Sequence, residues 1–455
     1  MNHYHEPSRN IPIIGEYDVI VCGGGPAGCA AAIGAARRGA KTILLESGGY
    51  LGGSPCTQLI SVMLSTNAVD LQGIWHEWAA KLLQYDGIQN LHRRRKHESG
   101  ALIYSTIPDP ERIKVVWDEL VDSAGAEILH FAPVVETIVR DRVIEGVLIE
   151  TKGGRGAVIG KRVIDCTGDG DVCARAGASF DQGAGGKPWA MAAAMVAYYG
   201  HCGSLEEKGN LGPGMWAYYG SCEGRYSNPV LNGVLFRAKF ISMLRVDPTD
   251  PRSLSQAMRQ GRSKMWSEFL ENTRKPGGEK LFLAATADQM AVRSSRRIRG
   301  LATALADDAM MLRKYPDGIA RSSWEIDIHS PEVDSGDSIP FDELAYQERT
   351  RKIEQGDYFD IRYGCLVVKD IDNLLVAGRC LSAELSAQAS LRIQQTCMST
   401  GQAAGVAAAI SIQNNQTPRE LPASRVTEAL ESDRKEVAPA FDVLREIPIA
   451  PRIFS

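Results

Sequence analysis

The stretch YDVIVCGGGPAGCAAAIGAARRGAKTILLE, residues 17–46, constrains the fold more than any other part of the 455-residue chain. Asp18 to Cys22 is an apolar run that reads as a short buried strand, and Lys41 to Glu46 reads as a second. Between them, Pro26 to Arg38 is rich in alanine and other helix formers, and Gly39 suits the helix C-terminus. Strand, tight turn, helix and strand make a βαβ unit, with a right-handed crossover and parallel strands.

The turn carries Gly23-x-Gly25-x-x-Gly28. The first glycine permits a sharp turn, the second lets backbone approach a pyrophosphate, and the third lets helix and strand pack closely. Pro26 and Ala27 open the helix, whose free N–H groups meet the negative phosphates. Glu46, ending the second strand, is placed to accept hydrogen bonds from ribose hydroxyls and disfavours a 2′-phosphate there. The motif by itself fits either FAD or NAD. The glycine-rich segment Ser47-Gly48-Gly49-Tyr50-Leu51-Gly52-Gly53 favours FAD, because flexible backbone can wrap a ribityl chain and approach a flavin ring.

VIVCGGGPAGCAAA…ILLESGGYLGG resembles the FAD-dependent oxidoreductases of the glutathione-reductase-like, two-dinucleotide-binding-domain flavoprotein superfamily. It is most similar to the bacterial group named simply FAD-dependent oxidoreductase. Two later segments carry the same resemblance. Val163 to Asp171 is an apolar strand ending in a Gly/Asp turn, followed by a small-residue helix from Val172 to Ala176; the resemblance places Gly168 near the cofactor. Asn373 to Arg379 is a strand stopped by glycine, which brings in Gly378 and Arg379. The resemblance also implies a helix opening at about Thr400-Gly401-Gln402, with its positive end at the pyrimidine edge of the flavin, and tight packing through Ala403, Ala404 and Gly405.

The expected fold is therefore α/β: a Rossmann-like FAD-binding domain with a parallel sheet and a small antiparallel meander over Glu127 to Gly160. That domain is expected to be discontinuous, residues 1–180 and 366–455, with an inserted α+β substrate or cap domain at 181–365. Residues 55–108 form a further insertion, and the tail beyond Pro418 reads as one helix, about Ser424 to Lys435, and an apolar end.

The chemistry is narrowed by what is missing. Relatives of glutathione reductase carry two cysteines, separated by four residues, after the GG turn; here Cys56 has Ser61 in place of its partner. A dithiol relay is disfavoured, and Cys56 is either close to a flavin or an inert packed thiol. No second GxGxxG unit occurs, so electrons are expected from a small-molecule substrate or a separate donor or acceptor. The late motif LLVAGR and the absence of WxWxIP move hydroxylation and halogenation down.

Candidate catalytic residues are His329 in WEIDIHSP and Arg362 and Tyr363 in YFDIRYGCLVVKD. His329 has the intrinsic pKa to carry a proton, or is a structural histidine. Arg362 is a carboxylate clamp or a surface ion-pair partner, and Tyr363 a site or core residue. AVRSSRRIRG puts Arg293, Arg296, Arg297 and Gly300 near one face if helical, with Arg293 directed to cofactor or domain interface or the whole face solvated. The leading expectation is a dehydrogenase passing hydride between a small organic molecule and flavin N5. The alternatives are a fumarate-reductase-like ene-reductase with a separate electron donor, and a non-catalytic flavin-binding module.

A net charge of −4 gives no reason to expect nucleic acid or an anionic membrane as partner, and HRRRKH, residues 92–97, is one short exposed cluster. No stretch approaches the roughly 18 apolar residues of a spanning helix, and MNHYHEPSRN lacks a secretory pattern. Ten scattered cysteines without a CxxC pair point away from disulfides and metal sites. A cytoplasmic enzyme with no metal, and a homo-oligomer on base rates, is expected.

Overall fold

The computed structural model describes residues 3–61, 63–66, 73–85, 87, 92–96, 102–106, 108–202, 216–218, 234–324, 326–332 and 357–433. β1 (Ile13–Cys22), α1 (Pro26–Ala36) and β2 (Thr42–Leu45) form the βαβ unit. The strands run parallel, with Val19 opposite Thr42 and Cys22 opposite Leu45. Every residue of β2 is buried, as befits a strand covered on both faces.

After β2 come α2 (Ser54–Thr57), α3 (Ile74–Gln84) and α4 (Pro110–Ser123). Among them an antiparallel three-stranded sheet is built from β3 (Met63–Thr66), β4 (His92–Lys96) and β5 (Leu102–Thr106). α3 and α4 meet through stacked indoles, with Trp78 5.2 Å from Trp75 and 5.7 Å from Trp117 between ring centres. Asp109 caps α4 by accepting from Glu111 N at 2.9 Å.

β6 (Glu127–Leu129) extends the sheet beside β2, in parallel. β7 (Val134–Arg140), β8 (Val143–Thr151) and β9 (Gly154–Asp165) form the expected antiparallel meander. The sequence divided this region into a meander and a separate strand at 163–165, but β9 is continuous. It pairs with β8 along its first half and with β1, in parallel, from Ala157 to Asp165, so the meander and the parallel sheet share one strand. Further on, α5 (Asp171–Arg175) follows the Gly/Asp turn.

Beyond it, β10 (Phe180–Gln182) pairs with β15 (Arg296–Ile298). This corrects the helical reading of residues 291–300: pairing with β10 makes the segment extended and sends its arginines to opposite sides. β11 (Ala193–Cys202), β12 (Trp216–Tyr218), β13 (Val234–Met243) and β14 (Leu281–Thr286) form a four-stranded antiparallel sheet backed by α6 (Pro251–Thr273). α7 (Ala306–Met311), β16 (Gly318–Ser322) and β17 (Phe359–Arg362) precede the return to the main sheet. There β18 (Leu374–Val376) pairs in parallel with β9 at Val163 to Asp165. α8 (Leu385–Leu391) and α9 (Gln394–Gln413) follow, and residues 423–433 form the final described helix; the apolar end of the tail lies outside the described residues.

α9 lies directly on α1. A Cβ on Gly401 would stand 2.0 Å from the Ala27 carbonyl oxygen, and one on Gly405 the same distance from that of Ala31. The two backbones touch because glycine stands at the closest points of the crossing, Gly401 and Gly405 of α9 against Ala27 and Ala31, and Gly34 of α1 against Gln402 and Val406. Among the described residues, no helix is long and apolar enough to cross a membrane.

Two outcomes follow for stability. Gly405→Ala forces backbone against backbone and should destabilise by about 1–3 kcal/mol, whereas Gly153→Ala, whose added Cβ has no neighbour nearer than 3.6 Å, should be neutral in urea unfolding. Burial holds His76 neutral, with its pKa lowered to about 4. Between pH 6.5 and about 4 the unfolded chain binds a proton that the folded chain refuses, so stability falls as pH drops through that window. On going from pH 7 to 4.5, the wild type should lose about 2 kcal/mol more than His76→Gln; parallel losses would show that His76 is not held neutral.

Candidate functional site

The turn after β1 is built so that backbone, not side chain, faces the ligand. Gly23 has φ +102°, and a Cβ there would lie 2.6 Å from the Cys166 carbonyl oxygen on the neighbouring strand's end. A Cβ on Gly28 would sit 1.7 Å from the Gly23 carbonyl oxygen, which is the close helix–strand packing expected of the third glycine. Gly25 differs: its Cβ would meet nothing nearer than Gly53 Cα at 3.9 Å, so this face of the turn is open. Gly25 is also the N-cap of α1, Pro26 occupies the first turn, and no side chain caps the helix. The first-turn amides beside Ala27 are thus left for an anionic ligand.

Glu46 follows β2 and ties two glycine stretches together. Its Oε2 accepts from Gly24 N at 2.7 Å, and its Oε1 from Gly48 N at 2.6 Å and Ser47 Oγ at 3.0 Å. Gly52 N donates to Gly24 O at 2.8 Å, and Gly52 and Gly53 both take positive φ. The second glycine stretch therefore lies against the first, as a cradle for an extended dinucleotide requires. The open face at Gly25, the uncapped helix and the half-buried carboxylate fit FAD.

The turn after β9 forms the other wall. Asp165 is fully buried; burial raises its pKa while its hydrogen bonds from Thr167 and Cys173 lower it, and the rise prevails. Gly168, at φ +78°, lies under the Arg379 guanidinium, whose Nη2 is 2.9 Å from Asp169 Oδ1. Arg379 Nη1 is a buried donor with no partner among the described residues, which fits an acceptor supplied by the cofactor. Gly378 takes φ +80°, and its N donates to Thr400 Oγ1 at 3.2 Å.

The helix opening expected at Thr400 is corrected. α9 begins at Gln394, with Ile393 as an N-cap that offers no side chain, so its positive end is Gln394 to Thr396. Thr400, Gly401 and Gln402 lie within the helix and support it: Thr400 holds Gly378, Gly401 packs on Ala27, and Gln402 Oε1 accepts from Ile74 N at 3.3 Å. The small-residue run that marked the helix belongs to its packing face, which starts after the N-terminus.

Just before α9, four charged or titratable side chains converge. His329 Nε2 is 3.1 Å from Asp327 Oδ1, and Asp327 Oδ2 accepts from Arg392 Nη2 at 2.8 Å. Arg392 Nη2 also reaches the Asp327 carbonyl oxygen at 3.0 Å. Burial would raise the Asp327 carboxyl, but the His329 hydrogen bond and the charges of Arg392 and Arg293 hold it well below the usual range. Arg293 Nη1 donates to Ala192 O at 2.6 Å, and Ala192 N donates to His329 O at 3.2 Å, so one residue anchors both. Desolvation lowers the Arg293 pKa to about 10, with the nearby Arg392 charge adding to the effect.

The other two catalytic candidates are engaged elsewhere. Arg362 Nε donates to both carboxylate oxygens of Asp317 at 3.1 Å, and its guanidinium lies 4.9 Å from the Tyr315 ring centre, which makes it an ion-pair partner rather than a clamp. Tyr363 is buried and donates to Pro418 O at 2.7 Å, a core role. Cys56 is buried against Pro110, and burial pushes its thiol up to about 12, so it is inert. Ser61 bonds Tyr198 at 2.6 Å between hydroxyls.

Asp327 and Arg392 escaped the sequence reading. Asp327 stands two residues before His329, a spacing that puts both side chains on one side of an extended segment, and Arg392 directly precedes Ile393, the N-cap of α9.

The family profile described as FAD dependent oxidoreductase matches residues 18–430. A 46-residue stretch is 54% identical to dihydrolipoyl dehydrogenase of Trypanosoma brucei brucei, covering 10% of this chain and 10% of that one. Among solved structures, a geranylgeranyl bacteriochlorophyll reductase-like protein from Thermoplasma acidophilum is 14% identical, covers 93% of this chain and 84% of that one, and superposes with a TM-score of 0.43. The p-nitrophenol 4-monooxygenase of Pseudomonas putida is 13% identical, with 95% and 90% coverage and a TM-score of 0.43.

Glu46→Gln keeps the shape but loses the charge that two amides share, and should weaken FAD binding about tenfold when apoprotein is titrated with FAD by fluorescence; an unchanged Kd would remove Glu46 from the cradle.

Proposed function

Because the chain belongs to the FAD-dependent oxidoreductase family, we propose that this enzyme is a dehydrogenase acting on a small organic substrate, with the Asp327–His329 pair carrying the proton. Bound FAD supplies the hydride-transferring centre, at flavin N5. The short stretch shared with dihydrolipoyl dehydrogenase supports placing the chain within the glutathione-reductase-like flavoproteins. Residues 1–180 and 366–455 act in this reading as the FAD-binding domain and 181–365 as the substrate domain.

The observation that carries the reading is the 3.1 Å contact between His329 Nε2 and Asp327 Oδ1, next to the amino end of α9. Asp327, held ionised by the His329 hydrogen bond and the Arg392 charge, fixes the orientation of the ring. Nε2 faces the aspartate, so Nδ1 is the atom left to exchange a proton with a substrate. The partial exposure of the His329 side chain, 29%, allows that exchange. Arg293 and Arg392 beside the pair also favour a second reading, fumarate-reductase-like reduction of an activated double bond with electrons from a separate donor.

Anaerobic titration of the holoenzyme with alcohols, amines and hydroxy acids, following the flavin absorption, tests the first reading. A compound that bleaches the flavin is expected, and His329→Gln should slow bleaching by about a hundredfold or more and flatten its pH profile. An equal rate in the variant would take His329 out of proton transfer. Reoxidation of reduced enzyme by enoates alone, with no compound reducing it, would establish the second reading instead.

A further inference from the structure

We propose that the substrate carries a carboxylate, gripped by Arg293 and Arg392 beside the Asp327–His329 pair. The inference deepens the dehydrogenase reading and rests on it for the role of the bound acid, whereas the binding itself stands on the geometry. Arg392 gives Nη2 to Asp327, and Arg293 gives Nη1 to the Ala192 carbonyl oxygen. Among the described residues, Arg392 Nη1 and Arg293 Nε and Nη2 have no protein partner, and none of these three donors is sealed from solvent. Donors of this kind, on planar guanidinium groups, are suited to a carboxylate.

Charge identifies the ligand further. Among the described residues, two arginines against one aspartate leave an excess of one positive charge, because Arg379 is matched by Asp169. The Arg392 side chain keeps only 16% of its exposure, and desolvation lowers the pKa of both arginines, against the raising effect of the Asp327 charge. A half-enclosed, uncompensated cation favours an anion. A monoanion restores neutrality, whereas a phosphate dianion would set excess negative charge beside Asp327.

The scaffold holds the donors in place. Gln388, almost fully buried, donates through Nε2 to the carbonyl oxygens of Arg293 (3.1 Å) and Arg379 (3.2 Å), and so links both segments to α8. Ser390 Oγ donates to Trp324 O at 2.6 Å and fixes the segment just after β16. The grip is thus set before any ligand arrives, and it lies at the helix end where the reactive part of the cofactor is expected.

The test uses flavin-loaded enzyme titrated with acetate, pyruvate, malonate and benzoate, with their amides, and with inorganic phosphate. Binding is read from perturbation of the flavin spectrum and from the shift in Tm. At least one carboxylate should bind saturably and at least tenfold more tightly than its amide. Arg293→Gln and Arg392→Lys should each weaken it at least tenfold, while Arg299→Gln, on the exposed pair with Asp181, should not. Should the Arg392 variant fail to fold, Asp327→Asn combined with Arg392→Gln removes the pair together and should show the same loss. Amides binding as well as acids, phosphate binding more tightly than every carboxylate, or no carboxylate binding at all would overturn the proposal. Carboxylates that bind while no acid, alcohol or amine reduces the flavin would leave the grip standing and sink the dehydrogenase reading.

Discussion

The structure depends on one close contact between backbones, where α9 rests on α1 through Gly401 and Gly405. α1 carries the phosphate-facing turn and α9 carries the helix end beside the charged cluster, yet they come from opposite ends of the chain. Glycine at the closest points of the crossing lets the two elements meet at this distance. Dispersion and apolar burial then act over a nearly void-free seam, since the added methyl of even one alanine would have nowhere to go. β18 reinforces the same join: it adds to β9 in parallel, and Gly378 just after it is held by Thr400 of α9. The two halves of the cradle are therefore joined directly, although the sequence between them runs through four further sheets among the described residues.

On that base, function is concentrated in groups whose charges are balanced with care. Glu46 accepts from backbone amides, Asp165 from a closed set of local donors, and Arg379 is paired with Asp169. The cluster of Arg293, Asp327, His329 and Arg392 carries more positive charge than its own residues cancel. Strong desolvation without full compensation is expensive in a fold with no use for it. Strain of that kind collects where a ligand completes the circuit.

The cradle was legible in the sequence because local rules determine it. A glycine needed for a tight turn, a helix of small residues and an acid after the second strand all lie within one βαβ unit, and the structure returns each of them in place. The Val163 strand and the Leu374 strand were also readable, since buried parallel strands are short apolar runs with abrupt ends. Errors arose where tertiary pairing overrides local preference. Residues 291–300 have a plausible helical face, but β10 offers them a strand partner. α9 starts earlier than its small residues indicate, because an N-cap such as Ile393 gives no capping signal. Arg362 and Tyr363 look reactive in sequence, but Asp317 and Pro418, distant in the chain, occupy them. Arg392 was invisible for the converse reason: its partner Asp327 is far away in sequence and only the fold brings them together.

The most direct test of this account is a crystal structure of the enzyme with FAD bound. It should place the pyrophosphate on the Gly23–Gly28 turn and the pyrimidine edge of the flavin at the Gln394–Thr396 amides, with His329 and Arg392 facing the space over the ring. A flavin lying away from the amino end of α9, or separated from His329 by packed side chains, would contradict it.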